Sequence, residues 1–191
     1  MENQAMKKKK VSSFFRTAEL AKTAIMSVLI AVCAWVTIPA PVPFTLQTFG
    51  VFMALKLLGG GYGTLAVLIY ILLGAVGVPV FSGFGAGAGV LLGPTGGYIA
   101  GFLLTGLIYK LAEPKLKKRY QENVVLALGL MVCYLFGTLR FISVMGARGT
   151  EYTWLQGLMT CVVPYLIPDA LKLVLADLLT KKLRPIIRKW A

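Results

Sequence analysis

Apolar residues fill this chain in long runs, with helix breakers and charges gathered between them. Residues 16–38 form a first run long enough for the ~20-residue helix that crosses a bilayer core. Pro39, Pro41 and Pro43 stop it by removing backbone donors and restricting the residues before them. A second run, residues 45–58, ends at Gly59-Gly60-Gly61, and a third, residues 62–76, ends at Gly77-Val78-Pro79. Both are short for a span, so each must tilt, sit at a thinned site, or continue irregularly inside protein. Residues 78–95 hold seven glycine or proline residues and cannot be a regular span, yet they carry no charge. Their Phe81, Phe84, Leu91 and Leu92 favour a lid packed on the outer mouth of a bundle over a free link.

A fourth helix is predicted over residues 96–111, where Gly97 and Gly101 have the spacing that lets another helix approach closely. A basic loop with Pro114 follows, then a fifth helix over residues 123–144, a polar connection over 146–154, and a sixth helix over 156–183. Pro164 and Pro168 disturb the first part of that last helix. The expected fold is an all-α membrane protein of six transmembrane helices, without an internal repeat.

Composition agrees. The 191 residues are 58% apolar and only 14% charged, against about a quarter charged in soluble domains. The 20 Lys+Arg against 7 Asp+Glu give a net charge of +13, which by itself would also suit a nucleic-acid partner. Its distribution excludes that: sixteen basic residues fall in three clusters, within residues 1–22, 110–119 and 181–189. A nucleic-acid surface would interleave them with soluble polar residues, whereas these sit at the ends of apolar runs. They mark orientation and headgroup contact with the lipid bilayer, and six spans collect all three on the cytoplasmic side, together with both termini. The chain then divides into a basic cytoplasmic leader (1–15), irregular in its first part and retained, a six-helix membrane domain (16–184) and a basic tail (185–191).

The absence of histidine removes Ser-His and Cys-His nucleophile pairs, HExxH metal sites and imidazole proton relays, so neither a catalytic nor a metal site is expected. Cys33, Cys133 and Cys161 lie far apart in apolar runs and read as buried thiols. No glycine-rich stretch is followed by Lys-Ser/Thr, so ATP dependence would have to come from a partner.

The remaining charges are the informative ones. Asp169 and Lys172 lie three apart on the sixth helix, hence on one face, inside an apolar stretch. Each costs about 2.5 to 3.5 kcal/mol at mid-membrane, so both should face protein or water. They form either an ion pair that stitches the bundle or the recognition point for a small polar solute. Arg140, near the outer end of the fifth helix, either grips an anion or snorkels outward. Asp177, one turn from Lys181, reads as a helix-end ion pair. Gln47 needs a partner if buried, and Thr45 reads as a cap of the second helix. Trp35 and Tyr98 either wall an apolar pocket or act as interfacial anchors. Thr23, Ser27 and Ala31 make a small-residue stripe, for docking another membrane subunit or for packing against helix six.

Four stretches together, residues 43–48 (PFTLQT), 74–81 (GAVGVPVF), 89–98 (GVLLGPTGGY) and 164–172 (PYLIPDALK), resemble the BioY family, the biotin-binding S components of energy-coupling-factor transporters. The resemblance covers residues 35–176 and implies the S-component fold, with an outward site closed by the loop between helices three and four. It implies that Asp169 and Lys172, matching the family's Asp-x-x-Lys, hold biotin at its ureido ring, and that an uncharged lid including Gly85 and an aromatic wall enclose the rest. Three departures stand out: Pro168 precedes Asp169 in place of glycine, Ile99 stands where some members have arginine, and residues 83–89 lack a polar side chain. The partner of biotin's carboxylate therefore stays open among Arg140, Arg148 and the backbone N–H groups of Gly83 to Gly87. The function so implied is high-affinity biotin uptake with a transmembrane coupling protein and two ATPase subunits as partners, and no cofactor. An S component for another small vitamin and a structural assembly protein are the alternatives.

Overall fold

The structure, a computed structural model, describes residues 2–189, with side chains described within residues 17–187. Met1 and the last two residues of the basic tail lie outside them, as do the side chains of the leader. Helix α1 (Glu2–Trp35) starts upstream of the expected Arg16. It ends three residues early because Thr37–Ile38 (β1) pairs antiparallel with Phe44–Thr45 (β2), closing the proline-rich turn as a small ribbon. Then come α2 (Gln47–Ala75), a 3₁₀ turn (Ser82–Phe84), α3 (Ala88–Leu92), α4 (Gly96–Ala112), α5 (Arg119–Ala147), α6 (Trp154–Cys161) and α7 (Val163–Lys189).

Continuous as it is in sequence, α2 is a hairpin of two helices. Gly59 has φ +77° and ψ 175°, outside any helix. Gln47 Nε2 reaches Tyr70 Oη at 2.6 Å, although 23 residues of straight helix would set them about 34 Å apart at 1.5 Å per residue. The two arms, residues 47–58 and 60–75, match the second and third apolar runs of the sequence. Glu113, just after α4, accepts the Gly60 N–H at 2.8 Å and so caps the second arm where it begins. The break between α6 and α7 is milder: Val162 leaves helical geometry just ahead of Pro164.

Four helical stretches are long and apolar enough to cross a membrane: Thr17–Trp35, Gln47–Ala75, Arg119–Ala147 and Trp154–Ile187. The second of these is the α2 hairpin, and α4 is 17 residues long. The α4–α5 pair is held close by small residues. A Cβ on Gly101 would come within 2.6 Å of Cys133 Sγ and 2.8 Å of its Cα, and one on Gly97 within 2.6 Å of the Phe136 carbonyl oxygen. The GxxxG face is therefore the α5 contact. The stripe Thr23, Ser27 and Ala31 is buried too, and Ser27 Oγ donates to the Ala66 carbonyl at 2.9 Å. It packs on the second arm of α2, which corrects both the docking face and the contact with helix six.

At one end of the bundle, Lys56 is fully buried between Asp177 and Asn123, and Arg119 Nη2 reaches Asp177 at 2.9 Å. Arg184 donates to the Lys56 carbonyl at 2.6 Å and to Glu122 at 3.1 Å. Asp177 is thus bound to Lys56 and Arg119 across helices, which corrects the expected pairing with Lys181. Glu19 and Lys22 of α1 and Arg184 and Ile187 of α7 line one polar cavity at this end.

Two adjacent glycines separate packing from propensity. Gly60→Ala drives a methyl into the Lys110 backbone and should cost about 1–3 kcal/mol, whereas Gly61→Ala meets open space and gains helix propensity of up to about 1 kcal/mol. Thermal unfolding in detergent should show a lowered Tm for the first and an unchanged or raised Tm for the second. A Tm unchanged by Gly60→Ala would contradict the close approach of α4.

Candidate functional site

Proline sets the local geometry of α7. Pro164 and Pro168 withhold two backbone donors in the first turns, directly before Asp169, a residue only 3% exposed. An ionised carboxylate there must be hydrogen-bonded throughout. Asp169 Oδ1 accepts from Thr48 Oγ1 at 2.8 Å and from Lys172 Nζ at 2.7 Å, while Oδ2 accepts from Tyr134 Oη at 2.6 Å. One carboxylate thereby joins α7, the first arm of α2, and α5.

Lys172 is similarly provided for. Its ammonium donates to the Thr45 carbonyl at 2.6 Å and lies 4.2 Å from the centre of the Phe44 ring, a cation–π geometry. Phe44 stacks on Tyr165, with ring centres 6.1 Å apart, and Tyr165 Oη donates to the Val42 carbonyl. The second strand of the ribbon and the turn before it are thus fastened to α7. Gln47, 7% exposed, donates through Nε2 to Tyr70 and accepts through Oε1 from Thr45 Oγ1 at 2.9 Å. That leaves one amide N–H of Gln47 uncommitted.

These groups surround a cavity lined by Val42, Pro43, Thr45, Gln47, Thr48, Ser82 of the lid segment and, from α4 and the residue before it, Thr95, Tyr98, Ile99 and Phe102. Leu130, Cys133 and Tyr134 of α5 with Cys161, Tyr165, Asp169 and Lys172 complete the wall. The space free of protein atoms within this lining is about 600 Å³ when the open solvent at its mouth is included. The chemistry is that of a site for a small, largely apolar molecule with a few hydrogen-bonding atoms. Among the described residues no three cysteine or carboxylate side chains converge on a metal-binding point.

Asp169, Lys172, Gln47 and Tyr98 come together on this wall. Tyr98 pairs with Thr138 at 3.2 Å, its ring lying where a Cβ on Gly137 would be. Trp35, Arg140 and Gly85 stand outside the lining and organise the lid segment. Trp35 Nε1 donates to the Pro79 carbonyl at 2.9 Å, and its ring stacks on Phe84 at 5.2 Å. Phe84 has φ +59°, an uncommon conformation for a side chain of this size. Arg140 donates to the Leu92 carbonyl at the end of α3, and Gly85 packs within the lid against Val90. Arg148 is exposed at the end of α5.

Sequence reasoning missed Tyr134 and Tyr70, which the geometry makes the partners of Asp169 and Gln47. Tyr134 carried one usable signal: with Leu130, Cys133, Thr138 and Phe141 it forms a helical face that includes the polar Thr138.

A sequence model of the BioY family matches residues 5–189. The biotin transporter BioY of Thermotoga maritima is 41% identical over 169 residues, which is 87% of this chain and 95% of that protein. The probable biotin transporter BioY of Pyrococcus horikoshii is 35% identical over 170 residues, 88% of this chain and 98% of the other. A crystal structure of the S-component for biotin from an ECF-type ABC transporter superposes with a TM-score of 0.76 at 29% identity, covering 89% of this chain and 92% of its own. The match runs through every element that builds the cavity, from the ribbon to α7, and places this chain in the BioY family.

Proposed function

We propose that this chain is the biotin-binding subunit of an uptake system in the cytoplasmic membrane, and that the cavity around Asp169 and Lys172 is where the vitamin sits. The observation that carries this is the pair itself: two opposite charges, both under 10% exposed, on the wall of an apolar cavity. Biotin offers a ureido group with two donors and one acceptor, a fused apolar thiophane ring and a valerate tail. Asp169 accepts from the ureido N–H groups, Lys172 or the uncommitted Gln47 N–H donates to its oxygen, and Tyr98, Phe102 and Tyr165 cover the ring. Trp35, Arg140 and Gly85 act at one remove, by holding the lid segment.

The membrane topology that supports this has six spans: α1, the two arms of α2, α4, α5 and the α6–α7 pair. The leader (1–15), the loop between α4 and α5, and the tail (185–191) share the end that carries the buried Lys56 network, and their basic residues make it cytoplasmic by the positive-inside rule. The chain carries no nucleotide-binding motif, so energy for transport comes from a transmembrane coupling protein and two ATPase subunits.

Titration of the purified protein with biotin should give saturable binding at micromolar concentration or below; no binding in that range would remove the assignment. Asp169→Asn and Lys172→Ala should each weaken binding by at least about tenfold, since each leaves the other charge without its partner. Tyr134→Phe takes one donor from Asp169 without touching the pair and should have a smaller effect. Unaltered affinity in folded Asp169→Asn and Lys172→Ala proteins would make the pair a structural tie only.

A further inference from the structure

Cationic and neutral polar groups are unevenly spread around the cavity. Among the described residues that line it, Lys172 is the only cation, and its ammonium is already compensated by the Asp169 carboxylate at 2.7 Å, the Thr45 carbonyl at 2.6 Å and the Phe44 ring. A ligand carboxylate beside it would lie within a few ångströms of Asp169, a like charge in a poorly screened site. The lid side of the wall presents neutral hydroxyls instead, those of Ser82 and Thr95. Thr95 precedes α4, and Phe102 lies seven residues further along, about 10 Å deeper at 1.5 Å per residue.

Most of the other groups able to hold an anion stand outside the lining and are at least partly committed elsewhere. Arg140 donates to the Leu92 carbonyl and Arg148 is exposed beyond α5. In the lid, the N–H groups of Phe81, Gly85, Gly87, Val90 and Gly93 donate to carbonyls of Gly85, Ser82, Gly74, Gly87 and Val90 in turn. In the first turn of α4, the Gly96 and Tyr98 N–H groups donate to Gly93 and Thr95, so the start of that helix is largely self-satisfied as well.

From this distribution we infer that the site reads the ring system of its ligand and is indifferent to the charge of the acid tail. The chain therefore accepts biotin whose carboxyl is esterified or amidated as readily as the free acid. This rests on the assignment of biotin as ligand. The tail lies toward Ser82 and Thr95, where neutral hydroxyls serve an ester or amide carbonyl as well as they serve a carboxylate.

Displacement of labelled biotin from the purified full chain at neutral pH tests it, using biotin methyl ester, biotinamide and biotin methylated on a ureido nitrogen. The ester and amide should bind within about fivefold of the acid, while the ureido-methylated compound should lose more than about tenfold. Biotin binding combined with an ester or amide weaker by about fivefold or more would overturn the inference and leave the biotin assignment standing. Failure of biotin itself to bind would end both. In Lys172→Gln, acid and ester should weaken by the same factor; a larger loss for the acid would put the carboxylate on Lys172 and overturn the inference independently.

Discussion

A carboxylate and an ammonium 2.7 Å apart inside an apolar bundle are tolerable only if most of the remaining donors and acceptors on them are answered. Asp169 and Lys172 meet that demand with groups from three other elements: Thr48 on α2, Tyr134 on α5, and the Thr45 carbonyl on the ribbon. Each such hydrogen bond to a charge contributes about 1.5–3 kcal/mol, and losing one leaves a buried charge exposed to the full cost of desolvation. The positions of α2, α5 and the ribbon relative to α7 are thus set by the needs of one ion pair. The cavity is what remains beside it.

A second buried charge at the opposite end follows the same logic. Lys56 lies in the last turn of the first arm of α2, where α5 and α7 bury it, and Asp177 and Asn123 take up its ammonium. Arg184 and Arg119 complete a network in which three cations and two carboxylates from three helices are paired. The Gly59 reversal makes this possible by returning the chain at the depth of that network, with Glu113 satisfying the N–H that the reversal leaves open. Short helices and buried charges are thus two sides of one arrangement.

Much of this was legible in the sequence where a local signal existed. Glycine and proline stops gave the two short runs, which the structure renders as the arms of α2. The spacing of Gly97 and Gly101 marked the close face of α4, and the three-residue offset of Asp169 and Lys172 put them on one side of α7. Partners far along the chain were not legible. Asp177 meets Lys56 from 121 residues away, and no spacing rule distinguishes that from a bond to Lys181 one turn on. Tyr134 is a single polar-tipped aromatic in an apolar helix, indistinguishable in sequence from a core residue until Asp169 is set opposite it. Arg140 had two readings because its position fixes depth but not the direction of a long, flexible side chain, and it turned to the lid's carbonyl. The stripe of Thr23, Ser27 and Ala31 had the right small residues, but which neighbour they fit depends on how the α2 hairpin folds.

Two side-chain pairs tie the first arm of α2 to α7, Thr48 with Asp169 and Lys56 with Asp177, and the offset is eight residues on both helices. Two parallel rods pinned at matching intervals, about 12 Å apart by helical rise, share a register like a ruler laid against its copy. A slip of one residue between them would break both pins at once, so intermediate positions are closed to this pair. The α2–α7 edge is thereby the pinned side of the cavity wall, whereas the side where α4 meets α5 is held by close glycine contacts instead.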